Sequence, residues 1–423
     1  MVFILATVIL KIRLMYILFI FLFLIDLYIF QGIKTLTASI DSDTNRKIIH
    51  GVFWAINIAF MALIALGFLS FDRAKGMKTY QTWAFNGLIL MLVPKLVFAF
   101  VLFGQDAFRF FGTGVNYALK QQNTEGSFMP DRRVFLTQLG LGLAFIPFLG
   151  IIYGILKGKY DYKIHRHTLF FKDLPDAFDG LTITQLSDIH AGSFDDPKAV
   201  KRGVDLANAQ QSDLLFFTGD LVNNEAAEIE PYLDIFGALK APLGKFSILG
   251  NHDYGDYKWW ASKAEKLANF KQLQKHHKTL GFKLLLDENL EIERDGQKIT
   301  LIGVENWGHG FAQYGDLAQA MTGVATDSFK ILLSHDPTHW EKQVKTLKSP
   351  IHLTLSGHTH GAQMGIEFKG FKWSPIKYRY PKWAGLYEEN GRYLHINRGF
   401  GFLSFSGRVG ILPEISVLTL KKA

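Results

Sequence analysis

Phe246-Ser247-Ile248-Leu249-Gly250-Asn251-His252-Asp253 is the stretch on which the reading of the chain turns. Its first half carries no charge and reads as a short strand, bounded by the glycine that follows. Its second half sets an amide, an imidazole and a carboxylate at the strand end, a metal ligand beside a proton donor. Glycine, asparagine and aspartate are also ordinary loop formers, so residues 250–253 taken alone read equally well as a plain turn. Four further strand ends of the same kind shift that balance.

Upstream, Ile183-Thr184-Gln185-Leu186 runs into Ser187-Asp188-Ile189-His190, and Leu214-Leu215-Phe216-Phe217 into Thr218-Gly219-Asp220. Asp188 and His190 alternate, so both are expected to point the same way from an extended segment. Downstream, Ile331-Leu332-Leu333 leads to Ser334-His335-Asp336, and Leu353-Thr354-Leu355 to Ser356-Gly357-His358-Thr359-His360. Helical patterns over 197–209, 228–239 and the Lys-rich 261–280 separate strands at 181–186, 214–217 and 246–249. More strands are expected at 299–304, 331–333, 353–355, 393–396 and 415–420. Strand and helix in alternation imply an α/β layered domain, with ligands gathered where strands end in loops.

Seven candidate ligands result: Asp188, His190, Asp220, Asn251, His335, His358 and His360. Imidazole, carboxylate and amide donors without sulfur suit hard or borderline divalent ions. Seven exceed what one ion requires and suit two ions sharing a carboxylate. Two metals about 3.5–4 Å apart can hold a bridging hydroxide and clamp the attacking and leaving oxygens of a phosphoryl centre. Phosphoester hydrolysis is the chemistry that most needs this.

On these residues the chain resembles the calcineurin-like metallophosphoesterase superfamily, in particular its membrane-attached bacterial branch. The resemblance covers about 181–420 through five ordered motifs: Asp188-Ile189-His190, Gly219-Asp220, Gly250-Asn251-His252-Asp253, His335 and Gly357-His358-Thr359-His360. It implies a four-layer sandwich of two β-sheets flanked by helices, with Asp188, His190 and His360 on one metal, Asn251, His335 and His358 on the other, and Asp220 bridging. His252 would protonate the leaving group and Asp253 would orient or charge-tune it. The cofactors implied are two divalent ions, manganese first, with iron, zinc or magnesium as alternatives. The second acid usual after the Gly-Asp pair is Asn223 here, which is not normally a ligand, so the metal site survives the departure.

The rest of the chain tells where such a domain works. Of 423 residues, 48% are hydrophobic, yet nearly all the long apolar stretches precede about residue 157. Spans are expected at 14–32, 51–70, 83–103 and 134–156, each near the roughly 20 residues that cross a bilayer. An all-α transmembrane region, 1–157, thus precedes a catalytic domain, 158–423. Asp26 and the Pro94-Lys95 pair fall inside spans and should face other helices. Lys and Arg flank both ends of every span, among them Lys11, Arg13, Arg73, Lys75 and Lys78. With Arg132-Arg133-Val134-Phe135-Leu136 resembling an export signal, the membrane face stays open. The absence of cysteine excludes disulfides and thiolate sites. The net charge of +8 is scattered, without the concentrated basic groove of a nucleic-acid enzyme.

The expected protein is therefore a multi-pass protein of a bacterial plasma membrane that hydrolyses phosphate ester or pyrophosphate bonds of a lipid-linked or small phosphorylated substrate. UDP-diacylglucosamine hydrolysis lies within the resembled branch and would require a cytoplasmic active site. The alternative is a metal-binding sensor or transporter with a non-catalytic domain, which would have no use for a spare acid at His252. Between Phe371 and Trp383, Lys372, Lys377, Arg379 and Lys382 alternate with Trp373, Tyr378 and Tyr380. Such a loop suits a headgroup layer and is expected to rest on the membrane and guide a lipid phosphate inward. His276, His277, His309, His339, His352 and His395 match no motif and read as ordinary histidines. Asn397-Arg398-Gly399 reads as a strand-ending turn, and Glu305-Asn306-Trp307 as a candidate pocket edge.

Overall fold

The computed structural model describes residues 2–70, 79–118 and 130–423; the flanking cations Arg73, Lys75 and Lys78 lie outside them. The chain separates into two compact units, the second running from Tyr153 to Ala423.

The first unit contains α1 (Val2–Thr37), α2 (Asp43–Leu69), α3 (Thr79–Ala118) and most of α4 (Pro130–Leu156). Each holds a segment long and apolar enough to cross a membrane: Met15–Thr37, Asp43–Leu69, Tyr80–Gly112 and Arg132–Leu156. Ser42 caps α2 by accepting a hydrogen bond from the Asn45 N–H. The helices are apolar all round, with Phe100 and Phe110 outward at 78% and 76% exposure, the pattern of a lipid-facing surface. Inside, Ile29, Phe98, Leu102 and Ala144 pack together. The expected intramembrane charges meet each other there. Lys95 of α3 lies 2.6 Å from the fully buried Asp26 of α1 and also donates to Asn57 of α2.

The second unit is a four-layer sandwich. One sheet has the order β1-β14-β2-β3-β4-β5, the other β12-β13-β9-β8-β7-β6. The first comprises β1 (Lys163–Phe171), β2 (Thr182–Leu186), β3 (Leu214–Phe217), β4 (Lys245–Ser247), β5 (Lys283–Leu284) and β14 (Glu414–Lys422). The second comprises β6 (Glu288–Arg294), β7 (Gln297–Gly303), β8 (Lys330–Leu333), β9 (Leu353–Ser356), β12 (Gly385–Glu389) and β13 (Arg392–Ile396). A hairpin, β10 (Ile366–Phe368) and β11 (Phe371–Trp373), stands apart from both sheets. Strand β3 shows why its run is apolar without alternation. Leu214 and Phe216 point into the core between the sheets, whereas Leu215 and Phe217 point to the outer helices. Those helices are α5 (Pro197–Asn208), α6 (Leu233–Gly237) and α7 (Lys263–Thr279) on the first sheet, with α8 (Leu317–Ala320) and α9 (Thr338–Lys342) on the second. Helix α5 starts at Asp196, whose carboxylate caps Ala199 N–H, and Pro197 follows as its first residue.

The departures from expectation are local. The helix expected at 228–239 is a 3-10 turn, Ala226–Tyr232, followed by the short α6, because Pro231 in its middle has no N–H to donate. Strand β4 ends at Ser247, two residues early, although Ile248 N–H still bonds the Phe217 carbonyl. Strands β1, β6 and β10–β12 carry too many charges, or are too short, to read as apolar runs.

Candidate metal centre

The C-terminal ends of parallel strands in both sheets converge. The loop after β2 brings Asp188 and His190, that after β3 brings Asp220, and that after β4 brings Asn251, His252 and Asp253. From the second sheet, β8 delivers His335 and β9 delivers His358 and His360. The segments bearing these ligands are not extended, contrary to the alternation read at Asp188 and His190. Asp188, His190, Asp220, His358 and His360 all lie in the left-handed region, with φ of 51°, 47°, 60°, 73° and 50°. Non-glycine residues reach this region at a cost, and such strain clusters at functional sites. Close backbone approach explains the neighbouring glycines. A Cβ at Gly250 would strike Asp220, and one at Gly357 would strike Ser187 and Asp188.

The donor atoms form two groups. His190 Nε2 and His360 Nε2 are 3.0 Å apart, and Asp188 Oδ1 is 3.2 Å from His360 Nε2. In the second group His358 Nδ1 is 2.8 Å from Asn251 Oδ1 and 3.3 Å from His335 Nε2. Asp220 Oδ2 stands between them, 3.5 Å from His190 Nε2 and 3.2 Å from His335 Nε2. Ligands about 2.1 Å from an ion are separated by about 3.0 Å along an octahedral edge and about 3.4 Å along a tetrahedral one, so these gaps fit coordination polyhedra. Hydrogen-bond partners turn lone pairs inward. His335 Nδ1–H donates to the Thr218 carbonyl (2.7 Å) and His190 Nδ1–H to Asn223 Oδ1 (3.1 Å), leaving both Nε2 atoms bare towards the Asp220 carboxylate. Facing acceptors of this kind call for cations.

The charges agree. Burial alone would raise the carboxyls of Asp188 and Asp220, but the imidazoles of His360 and His335 against Asp188, and of His335 and His252 against Asp220, hold both well below the usual range. Burial pushes His190, His358 and His360 down towards the neutral form. It acts on His335 too, yet the Asp220 carboxylate there prevails and pushes the imidazole up to about 10. The cage thus holds two carboxylates whose charge attracts a proton where no cation offsets it.

His252 and Asp253 part company. The His252 ring lies 4.9 Å from that of His190, and its Nδ1–H donates to the Asn223 carbonyl at 2.8 Å. The expected orienting partner is elsewhere. Fully buried Asp253 accepts from Asp220 N–H (2.9 Å), Leu221 N–H (2.8 Å), Val222 N–H (3.3 Å) and Gly250 N–H (2.9 Å), fastening the β3 and β4 loops together. Burial and the Asp220 charge push its carboxyl up to about 7. No hydrogen bond joins Asp253 to His252; Asn223 instead meets His190 through its side chain and His252 through its carbonyl.

Three more residues that the sequence did not assign to the site meet its histidines. Arg408, fully buried, has a guanidinium nitrogen 3.0 Å from His360 Nδ1 and donates to the carbonyls of Arg398 (2.7 Å) and His360 (3.1 Å). Tyr380 OH lies 2.9 Å from His358 Nε2, and Asp336 Oδ2 3.4 Å from the same atom. Asp336 beside His335 was the available signal; Tyr380 and Arg408 gave none. Of the loop cations, Lys382 pairs with Glu341 and Glu389, and Lys372 bonds the Ala384 carbonyl, so neither is available to a ligand. Arg379 and Lys377 are exposed, with the Arg379 guanidinium 5.4 Å from the Phe311 ring, which in turn packs edge-on to His358. Arg398 is committed to Glu414 (2.5 Å) and Glu367 (2.6 Å), in keeping with a turn. Glu305 accepts from Tyr254 OH, and Trp307 stacks on His339.

Comparisons with known proteins find two family matches along the chain. Residues 10–159 match the family described as probable calcineurin-like phosphoesterase, transmembrane domain, and residues 181–362 match calcineurin-like phosphoesterase. An uncharacterised metallophosphoesterase of Bacillus subtilis, YkuE, is 31% identical over 260 residues, 60% of this chain and 84% of that protein. An uncharacterised metallophosphoesterase of Helicobacter pylori is 26% identical over 398 residues, 86% of this chain and 98% of that protein. A zebrafish (Danio rerio) transmembrane protein with metallophosphoesterase domain is 27% identical over 287 residues, 64% of this chain and 60% of that protein.

Proposed function

We propose that this chain, which belongs to the calcineurin-like metallophosphoesterase family and is a membrane-associated phosphoester hydrolase, works on a lipid-linked phosphoester or pyrophosphate through a two-ion centre. Asp188, His190 and His360 would hold one divalent cation and Asn251, His335 and His358 the other, with Asp220 placed to serve both. The observation that carries this is Asp220 Oδ2 lying within 3.5 Å of both histidine groups. Nitrogen and oxygen donors suit Mn²⁺ first, and Fe, Zn or Mg as alternatives. When bound, the ions supply Lewis-acid stabilisation of the phosphoryl charge and an activated water.

The chain's own residues do the rest. His252, its Nδ1–H held by the Asn223 carbonyl, would in its imidazolium form give its Nε2 proton to the departing oxygen and be left as the neutral Nδ1–H tautomer. Arg379 takes a non-bridging or second phosphate oxygen, because its guanidinium is exposed and stacked on the Phe311 ring that touches His358. A lipid-borne substrate is favoured by the four membrane-crossing helices and by the cationic, aromatic segment ending at Tyr380. The setting we propose is a bacterial inner membrane, and UDP-diacylglucosamine as substrate would further require the catalytic domain on the cytoplasmic side.

Full-length protein in detergent with Mn²⁺, offered an aryl phosphodiester, an aryl phosphomonoester and UDP-diacylglucosamine, tests the reading. Selective cleavage of the lipid nucleotide, lost in His252→Gln and weakened in Arg379→Gln but not in Lys382→Gln, is expected. Cleavage of aryl esters alone, with Arg379→Gln and Lys382→Gln equal on every substrate, would remove the lipid assignment.

A further inference from the structure

Hairpin β10–β11 is patterned inside out. Its register pairs Ile366 with Trp373 and Phe368 with Phe371 on one face, and Glu367 with Lys372 on the other. In a water-facing hairpin the charged pair would lie outside and the apolar side chains would pack. Here Glu367, itself still exposed, pairs with the buried Arg398 (2.6 Å), and Lys372 bonds the Ala384 carbonyl. Ile366, Phe368 and Phe371 are left 56%, 65% and 60% exposed. The turn is Lys369-Gly370, both left-handed at φ 44° and 86°, with the Lys369 ammonium over the Phe368 ring. Further along stand Lys377 and Tyr378, the latter 78% exposed.

We infer that this hairpin dips into the bilayer surface, with Phe368 and Phe371 entering the acyl boundary while Lys369 meets anionic lipid phosphates. Lipid is the occupant because the same chain carries four membrane-crossing helices, so bilayer is held at an effective concentration no other partner matches. A second copy fits less well. A two-fold contact through the tip would bring Lys369 towards its own equivalent. The inference stands whichever phosphoester the metal centre cleaves, since it concerns a surface and not the chemistry.

The chain has no cysteine, so Phe368→Cys and Phe371→Cys can each be labelled uniquely with an environment-sensitive fluorophore. Leu267→Cys on α7, 52% exposed, serves as the water-facing control. In full-length protein reconstituted into phosphatidylcholine–phosphatidylglycerol vesicles, the hairpin labels should emit to the blue of the control and lose most of their emission to nitroxide-bearing lipid. Aqueous iodide should quench the control and spare them. A fluorophore can itself seek lipid, so Lys369→Cys is also labelled with Phe368 and Phe371 intact or both changed to Asp. The Asp pair should return that label to iodide, while turnover of a soluble aryl phosphate reports an intact fold. Iodide quenching of the 368 and 371 labels to the control level overturns the inference. So does energy transfer between hairpin labels that rises with the protein-to-lipid ratio, which would give the face to a second copy.

Discussion

Replacing Asp253 with Asn separates loop fastening from proton transfer. Each carboxylate oxygen of Asp253 accepts two backbone N–H groups: Oδ2 those of Asp220 and Gly250, Oδ1 those of Leu221 and Val222. Asparagine keeps one oxygen and sets an amide N–H₂ against the other pair. Two buried donors then lose their acceptor, at about 1–3 kcal/mol each, so roughly 2–6 kcal/mol is expected from the domain. A domain stable by about 5–15 kcal/mol stays folded but with a much smaller margin. The loops that move are the ones carrying Asp220 and Asn251, so divalent-ion affinity should fall with stability. His252→Gln disturbs much less, because it removes one half-buried hydrogen bond to the Asn223 carbonyl.

The assay is paired. Thermal melting in detergent with and without Mn²⁺, and metal content after dialysis, should drop for Asp253→Asn and hold for His252→Gln. Hydrolysis of aryl phosphodiesters graded by leaving-group pKa should show the converse. His252→Gln should lose about 10²–10⁴ in rate for poor leaving groups and far less for good ones. Asp253→Asn, assayed on its metal-loaded fraction, should lose rate without that dependence. The reasoning is refuted if Asp253→Asn melts and binds metal like the parent but shows the leaving-group signature of His252→Gln.

Two further outcomes follow from groups away from the metal centre. Burial pushes His277 and His395 down to about 3, from about 6.5 in the unfolded chain. A depressed folded pKa means stability is fully present above pH 6.5 and is lost as pH falls towards 3, at about 1.4 kcal/mol per pH unit for each histidine. Between pH 6.5 and 5 the two together should remove about 3 kcal/mol, and His277→Gln should about halve that loss; an unchanged loss would mean His277 titrates normally in the fold. In the membrane unit, Lys95→Leu leaves Asp26 buried without its cation and should cost about 3–5 kcal/mol, most of it regained in Asp26→Leu/Lys95→Leu. Unfolding of the helical bundle in mixed micelles reads both, and a single variant as stable as the double one would show that the pair contributes nothing.

The fold class and the ligands were legible for different reasons. Buried strands such as β3 and β8 must be apolar on both faces, and the chemistry at their ends needs particular side chains, so Asp220 and His335 stand out against the apolar run before them. The membrane helices were legible because a bilayer demands length and apolarity, which are additive along the chain. Edge strands were not: β6, Glu-Asn-Leu-Glu-Ile-Glu-Arg, pairs with β7 alone and keeps its charges in water. Nor was the 3-10 turn at 226–232 anticipated, although Pro231 could have warned of it.

What the sequence left open is partner choice, which depends on backbone angles that no motif prints. The family resemblance implied that Asp253 orients or charge-tunes His252; four N–H groups from two loops claim its oxygens. Asn223, read only as a missing acid, fixes one histidine through its side chain and another through its carbonyl, and the second role is open to any residue there able to adopt the same backbone. Substituting Asn223 should therefore disturb His190 more than His252. The inside-out hairpin makes the same point about surfaces. The mixture of aromatic and basic residues was visible from Phe371 onward, but only the pairing of Phe368 with Phe371 puts the two rings on one face, and both stand exposed. Composition raised the expectation of a membrane-facing loop, and strand register shows which of its apolar side chains share one exposed face.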